Sequence, residues 1–169
     1  GLGYAFLFLL GWLSPRVQWS ALAVVLVGYW LIFVLYPLPG ADFDWARAGT
    51  SSTWSHNATG FAAHWNKNTN AAWAFDMWWL NLFPREHLFE GHRGGYSTLS
   101  FIPILGTMIL GLIAGGWLRR EGAASDKTRR FVIAGVIGLA AGFLLDVSGI
   151  CPSVKRIWTP SWTLFSGGW

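Results

Sequence analysis

Three long runs of apolar residues constrain this chain more than any other feature. They lie at residues 21–38, 99–118 and 131–150, and the second run contains 20 residues without a charge. A helix needs about 20 apolar residues to cross a bilayer, whereas a barrel strand needs about 10 residues of alternating character. Lipid offers backbone groups no hydrogen-bond partners, so these long, non-alternating runs predict membrane-spanning helices.

The composition agrees with a membrane protein. Hydrophobic residues make up 53% of the 169 residues and charged residues 12%, whereas soluble domains carry about 25% charged residues. A water-soluble globule is therefore excluded. The single cysteine excludes an internal disulfide, and no Cys/His spacing indicates a metal site. The net charge of +4 does not indicate a nucleic-acid partner, because five basic residues lie in one short connection between apolar runs.

Shorter apolar segments stand at both ends, at residues 1–13 and 161–169. Each is too short to cross a bilayer. We therefore expect two truncated terminal spans and interpret the chain as an internal portion of a longer protein. The predicted fold class is all-α, a polytopic integral membrane helical bundle with three full spans and two truncated ones. Residues 1–169 are expected to form a single membrane domain.

The distribution of basic residues predicts the orientation of the spans. Residues 119–130 form a basic loop with five Lys and Arg side chains against two acidic ones, and such loops face the cytoplasm. Residues 39–98 are then an extracytoplasmic cap, which is periplasmic if the protein lies in a bacterial inner membrane. Lys155 and Arg156 argue against this orientation, because they fall on the same side as the cap. Five charges outweigh two.

The predicted cap does not resemble a simple linker. It contains six tryptophans, all four histidines and charges of both signs, which favours an ordered structure. Within it, residues 71–83 predict a short amphipathic helix that lies along the membrane surface, because aromatic side chains with polar tips favour the interface.

Polar side chains in the cap are candidates for contacting a hydroxylated ligand. The substrate-side candidates are His64, Asn66, Asn68, Arg93 and Tyr96. The first three belong to a seven-residue segment rich in imidazole and amide groups, in which Trp65 is placed to stack on the ligand; the alternative is a solvated loop with turn-forming asparagines. The last two belong to a glycine-rich segment just before the second run, and its alternative role is only a turn into the helix.

Charged residues near the ends of the runs give further candidates. The basic loop offers possible contacts to the phosphates of a nucleotide cofactor through Arg119, Arg120, Arg129 and Arg130. Membrane topology alone also explains these arginines. Asp146 lies within the third run, where a carboxylate indicates function unless it reaches the interface.

Glycine and proline spacing predicts how the helices pack. Pro103 with Gly106 predicts a kink, and a kinked membrane helix often borders a cavity. Two further glycine pairs have GxxxG spacing, at residues 111–115 and 138–142. This spacing favours close helix packing and requires no ligand.

Four segments together resemble a known family. They are residues 83–86 (FPRE), 94–103 (GGYSTLSFIP), 106–115 (GTMILGLIAG) and 155–162 (KRIWTPSW). Their order and spacing resemble the bacterial relatives of heparan-α-glucosaminide N-acetyltransferase over roughly residues 19–169.

The resemblance implies a polytopic membrane acyltransferase. It would take acetyl from acetyl-CoA on the cytoplasmic side and acetylate an amino sugar, its saccharide partner, on the far side. The family's key histidine lies in a far-side loop after an early span, upstream of Gly1. None of the four histidines here inherits that role, and the catalytic residues remain unknown.

Two other functions stay open. The chain could be a non-catalytic accessory subunit of a larger membrane complex, such as a respiratory or photosynthetic one, with its Trp and Gly faces packing against lipids or other subunits. It could also be a transporter. Only Asp146 lies within a span, however, and a single ionisable residue gives little support for an ion relay.

Overall fold

The computed structural model describes residues 2–169, and that part of the chain contains helices and no strands. The α-helices are α1 (Leu2–Gly11), α2 (Pro15–Leu35), α3 (Ala71–Trp79), α4 (Phe101–Arg119), α5 (Ala124–Val147) and α6 (Pro160–Gly167). Short 3-10 helices cover Gly60–Trp65, Leu80–Leu82, Thr98–Ser100 and Lys155–Ile157. The predicted all-α fold is confirmed, as is a helix near residues 71–83.

Three helical segments are long and apolar enough to cross a membrane: Pro15–Leu35, Thr98–Arg119 and Ala124–Val147. They match the three predicted runs and indicate an integral membrane protein. The two predicted terminal spans correspond to α1 and α6, with 10 and 8 residues. Gly1, at the start of the first of them, lies outside the described residues.

Helix α2 begins and ends where its sequence dictates. Ser14 adopts an extended backbone and Pro15 follows at the first helical position, where the missing N–H removes no hydrogen bond. The helix ends at Leu35, because Tyr36 precedes Pro37 and is extended; the proline ring disfavours helical geometry in the preceding residue.

The predicted basic loop is mostly helical. Helix α5 begins at Ala124, ahead of the run predicted at residues 131–150, and only residues 120–123 connect it to α4. The Lys127 ammonium donates to the carbonyl oxygen of Leu118 at 2.9 Å, which closes this connection. We call this side of the bundle the basic end and the opposite side the cap end.

Pro103 was expected to kink the second membrane-spanning helix, but its position in the structure does not require a kink. It lies in the first turn of α4, where a helix has no internal partner for the N–H that proline lacks. Gly106 serves packing instead. A Cβ added there would lie 3.1 Å from a methyl carbon of Leu26 in α2.

The glycine pair of α5 packs against α6, as predicted. A Cβ added at Gly138 would lie 2.9 Å from the carbonyl oxygen of Leu164, and one at Gly142 would lie 2.6 Å from that of Ser161. At both positions the backbones of α5 and α6 are too close to accommodate any residue larger than glycine. The pair in α4 does not behave in this way, because a Cβ at Gly111 or Gly115 would meet no atom within 4 Å.

Two apolar clusters hold the bundle together. One joins α1, α2 and α4 toward the basic end and consists of Leu10, Leu22, Leu26, Ile109 and Ile113. The other lies at the cap end and consists of Tyr29, Phe33, Trp65, Ala72, Leu99, Cys151 and Ile157. Since this second cluster contains residues from the cap, two spans and the α5–α6 connection, it fixes the cap on the bundle.

Candidate functional site

A groove of about 640 Å³ lies between the cap and the connection from α5 to α6. We call it the cap groove. The cap lines it with Trp54, His56, Ala58, Ala62, Trp65, Asn66, Lys67, Asn70 and Gly95. The connection lines it with Pro152, Ser153, Val154, Lys155, Arg156 and Ile157.

Amide side chains shape the cap wall of the groove. The Asn66 side chain accepts a hydrogen bond from the Ala58 N–H at 2.8 Å and donates to the Ala58 carbonyl oxygen at 2.9 Å. Nearby, the Asn57 amide donates to the Ser51 carbonyl oxygen at 2.8 Å. These bonds close the loop that carries Trp54 and His56, so both side chains are presented by a defined backbone.

The opposite wall is held by buried and interfacial polar groups. Asp146 accepts a hydrogen bond from the Ser153 N–H at 2.7 Å, and the Thr159 hydroxyl oxygen accepts from the Val154 N–H at 2.9 Å. The Tyr29 hydroxyl donates to the Ile157 carbonyl oxygen at 2.8 Å. Asp146 itself is exposed at the end of α5. Its interfacial placement stays a prediction, but its carboxylate has a partner in the Ser153 N–H and so orders the groove wall.

Trp65 provides an apolar surface at the bottom of the groove. Its ring stacks on Phe33 of α2, with centroids 6.1 Å apart and planes 5° from parallel. The indole is buried, and its N–H has no hydrogen-bond partner among residues 2–169. Buried indole N–H groups usually find a partner, so Trp65 keeps an unused donor beside the groove.

The charge of the groove has one sign. Lys67, Lys155 and Arg156 line it together with His56, and no carboxylate does. The Lys67 ammonium lies 5.5 Å from the centroid of the Trp54 ring, which places a cation next to an aromatic face. An anionic or strongly polar ligand is favoured in such surroundings.

The structure brings one of the five substrate-side candidates into the groove. Asn66 lines it, but His64 instead pairs its Nδ1 with the Tyr36 carbonyl oxygen at 3.0 Å. Asn68 is buried and donates to the Ala48 carbonyl oxygen at 2.8 Å. Arg93 and Tyr96 are exposed and do not line the groove.

The groove residues that the sequence did not single out as site residues include Trp54, His56, Lys155 and Arg156. A signal for the last two was present, since they are basic residues on the side predicted to face away from the cytoplasm, where the positive-inside rule expects few. That exception is explained if the two cations serve a ligand. No comparable signal marked Trp54 or His56, because they reach the groove only through the folding of the cap.

A second, much smaller cavity of about 10 Å³ lies beside the cap groove and shares Asn70, Gly95 and Ile157 with it. It has room for about one water molecule. Asp76 lines it, is 3% exposed, and accepts hydrogen bonds from the Thr98 N–H through both carboxylate oxygens at 3.1 and 3.0 Å. Since Thr98 begins the second span, Asp76 joins α3 to the positive end of that helix.

Replacing Asp76 with alanine is expected to destabilise the protein by about 2 kcal/mol, because the hydrogen bonds from the Thr98 N–H to the buried carboxylate are lost. Asp76→Asn keeps an acceptor and should cost less than about 1 kcal/mol. Thermal unfolding in detergent measures both, with the exposed Asp42→Ala as control. Equal losses for the alanine and asparagine variants would contradict the role given to the hydrogen bond.

At the basic end the four candidate arginines lie on different surfaces. Arg130 lines an apolar groove of about 700 Å³ between α4 and α5, which also includes Trp19, Thr107 and Trp117. Arg119 lines a separate cleft of about 360 Å³ beside α1. Arg120 and Arg129 are exposed and line neither. The structure therefore does not gather the four into one phosphate site.

Comparisons with protein-family models, curated proteins and solved structures found no match. Within residues 2–169, no group of three or more His, Cys, Asp or Glu side chains is arranged to hold a metal ion. The chemistry of the site is therefore inferred from the residues of the cap groove and of the groove between α4 and α5.

Proposed function

We propose that this chain provides the acceptor-binding part of a membrane acyltransferase that moves acetyl from acetyl-CoA to an extracytoplasmic amino saccharide. The proposal rests on one observation, the cap groove with its aromatic faces, amides and unopposed cations. The resemblance of four sequence segments to heparan-α-glucosaminide N-acetyltransferase relatives points to the same chemistry.

The side chains of the groove suit a sugar ring that carries an acidic group. Trp54 is 38% exposed and offers a face on which a ring can stack, and Asn66 lies beside it. Lys67, Lys155 and Arg156 would pair with a carboxylate, sulfate or phosphate on the ligand. We therefore infer that the acceptor is an acidic amino saccharide.

The same cations favour the reactive form of the acceptor. An amine attacks a thioester only when it is unprotonated, and nearby positive charges lower the pKa of an ammonium group. Since no carboxylate of the described residues lines the groove, the protonated amine finds no ion-pair partner there. We assign binding to these residues, and the resemblance puts the catalytic histidine upstream of Gly1.

Acetyl-CoA would supply the activated acetyl group from the basic end. The groove between α4 and α5 is mainly apolar and includes Arg130 and Trp117, which suits the narrow pantetheine arm of coenzyme A with its phosphates at Arg130. Arg130 is therefore our preferred phosphate contact among the four arginines. Arg119 fits less well, because it lines the other cleft.

A non-catalytic accessory subunit is the second candidate. Only 6% of the apolar window of α5 is buried within the protein, so its outer face is free to pack against other membrane subunits. This candidate predicts no acetyl transfer by the purified protein and stable co-purification with partner chains.

Acetyl transfer tests the proposal directly. The full-length protein would be incubated with radiolabelled acetyl-CoA and with glucosamine or its 6-sulfate, and intact mass would identify any bound partner. Trp54→Ala should lower kcat/KM about tenfold, because loss of ring stacking removes about 1.4 kcal/mol. Trp12→Ala, exposed at the basic end, is the control. No transfer by the wild-type protein would favour the accessory subunit.

A further inference from the structure

An apolar surface covers one side of α3 and the 3-10 helix that follows it. Trp78, Trp79, Leu82 and Phe83 are 58%, 38%, 56% and 54% exposed. The rings of Trp78, Trp79 and Phe83 adjoin one another, with centroids 6.0 Å apart between Trp78 and Trp79 and 5.4 Å apart between Trp79 and Phe83. Ala72 and Asp76, one turn apart on α3, are buried and fix the helix against the bundle. We call the four exposed side chains the α3 apolar face.

The packing of α3 defines its level in the bundle. Ala72 belongs to the same buried cluster as Tyr29 and Phe33 of α2. These residues precede the end of α2 at Leu35 by six and two positions, which is about 9 Å and about 3 Å along the axis. Asp76 binds the backbone of Thr98 at the start of the second span. Helix α3 therefore lies beside the last turns of α2 and the start of the second span.

That level coincides with a membrane interface. Helix α2 has 21 residues, so its length of about 31 Å matches the roughly 30 Å hydrocarbon core of a bilayer. A helix beside its last turns lies where hydrocarbon gives way to headgroups. Tryptophan is enriched at this depth, and large exposed apolar patches mark sites of contact with a membrane or a partner.

We propose that the α3 apolar face inserts into the leaflet at the cap end, so that the partner it binds is the phospholipid surface itself. The face carries no charge, whereas Arg85 follows it and is exposed, within reach of lipid phosphates. This anchor holds the cap against the membrane and sets the height of the cap groove above it. The inference does not depend on the proposed acyltransferase function.

Spin labelling of the full-length protein in phosphatidylcholine and phosphatidylglycerol vesicles tests the anchor. Cys151 is 1% exposed and burial raises the pKa of its thiol, so it reacts poorly with the label; it would also be replaced by alanine. Labels at Trp78→Cys and Leu82→Cys would be compared with Thr53→Cys on the exposed cap and Val136→Cys on the outer face of α5.

Collision with oxygen, which dissolves in lipid, and with a water-soluble nickel chelate gives the depth of each label. We expect positions 78 and 82 to favour oxygen, as position 136 does, with a depth of about 5–10 Å below the phosphates. Position 53 should favour nickel. Nickel dominance at 78 and 82 would place the face in water, and low access to both reagents would mean that protein covers it. Either result overturns the proposal. If the alanine background fails to fold, the same labels in the Cys151 protein give the same comparison.

Discussion

Charge reversal at Lys155 and Arg156 is expected to lower kcat/KM for an acidic amino saccharide by about 100-fold. Both cations line the cap groove, which contains no carboxylate. A hydrogen bond to a charged group contributes about 1.5 kcal/mol, so the loss of two removes about 3 kcal/mol, or about two factors of ten. The measurement is initial-rate kinetics of the Lys155→Glu/Arg156→Glu protein with glucosamine 6-sulfate.

The neutral acceptor and a second variant provide the controls. Transfer to unmodified glucosamine should fall far less, because it has no anionic group to lose a partner. Arg47→Glu/Arg93→Glu makes the same change of charge on exposed cap positions outside the groove and should leave both rates nearly unchanged. If this control loses as much activity as the groove variant, the ligand does not bind where we propose.

The second large effect is expected from Gly142. An added Cβ would lie 2.6 Å from the Ser161 carbonyl oxygen and 2.7 Å from the Phe165 backbone nitrogen, and neither backbone atom can move without shifting α6. Gly142→Ala should therefore cost about 3 kcal/mol and lower Tm by about 6–12 °C. Gly142→Leu should prevent α6 from packing on α5.

Gly111→Ala is the matched control for Gly142. It is also a glycine of a GxxxG pair in a membrane helix, but a Cβ there meets no atom within 4 Å. The substitution should be neutral or stabilise the helix by up to about 1 kcal/mol. Thermal unfolding in detergent, followed by tryptophan fluorescence, measures both. Similar Tm values for the two alanine variants would show that α5 and α6 are not packed this closely.

These two glycine pairs show what spacing can and cannot predict. Both have the same GxxxG pattern, yet only the pair in α5 meets a neighbouring backbone. The pair in α4 shares its helix with Gly106, which does pack against α2. Spacing identifies a helix face that permits close approach, but the partner depends on how distant segments fold against it.

The candidate site shows the same difference between what the sequence predicts and what the folded chain decides. Asn66 lines the groove, yet its amide hydrogen-bonds the backbone at Ala58, just as His64 and Asn68 from the same polar segment hydrogen-bond the backbone at Tyr36 and Ala48. A polar side chain in a folded cap must satisfy its own hydrogen bonds when it is buried. Residue type therefore marked the right segment without separating the residues that face a ligand from those that hold the loop.

The sequence by itself determined the three helices that are long and apolar enough to cross a membrane, because lipid requires each apolar run to satisfy its own backbone hydrogen bonds locally. Only the tertiary structure decided the cap groove. Trp54 and Lys155 lie a hundred residues apart in sequence and line one groove because a buried cluster of Tyr29, Phe33, Trp65 and Ile157 draws the cap and the α5–α6 connection together. Such long-range packing depends on complementary shapes that no local pattern encodes.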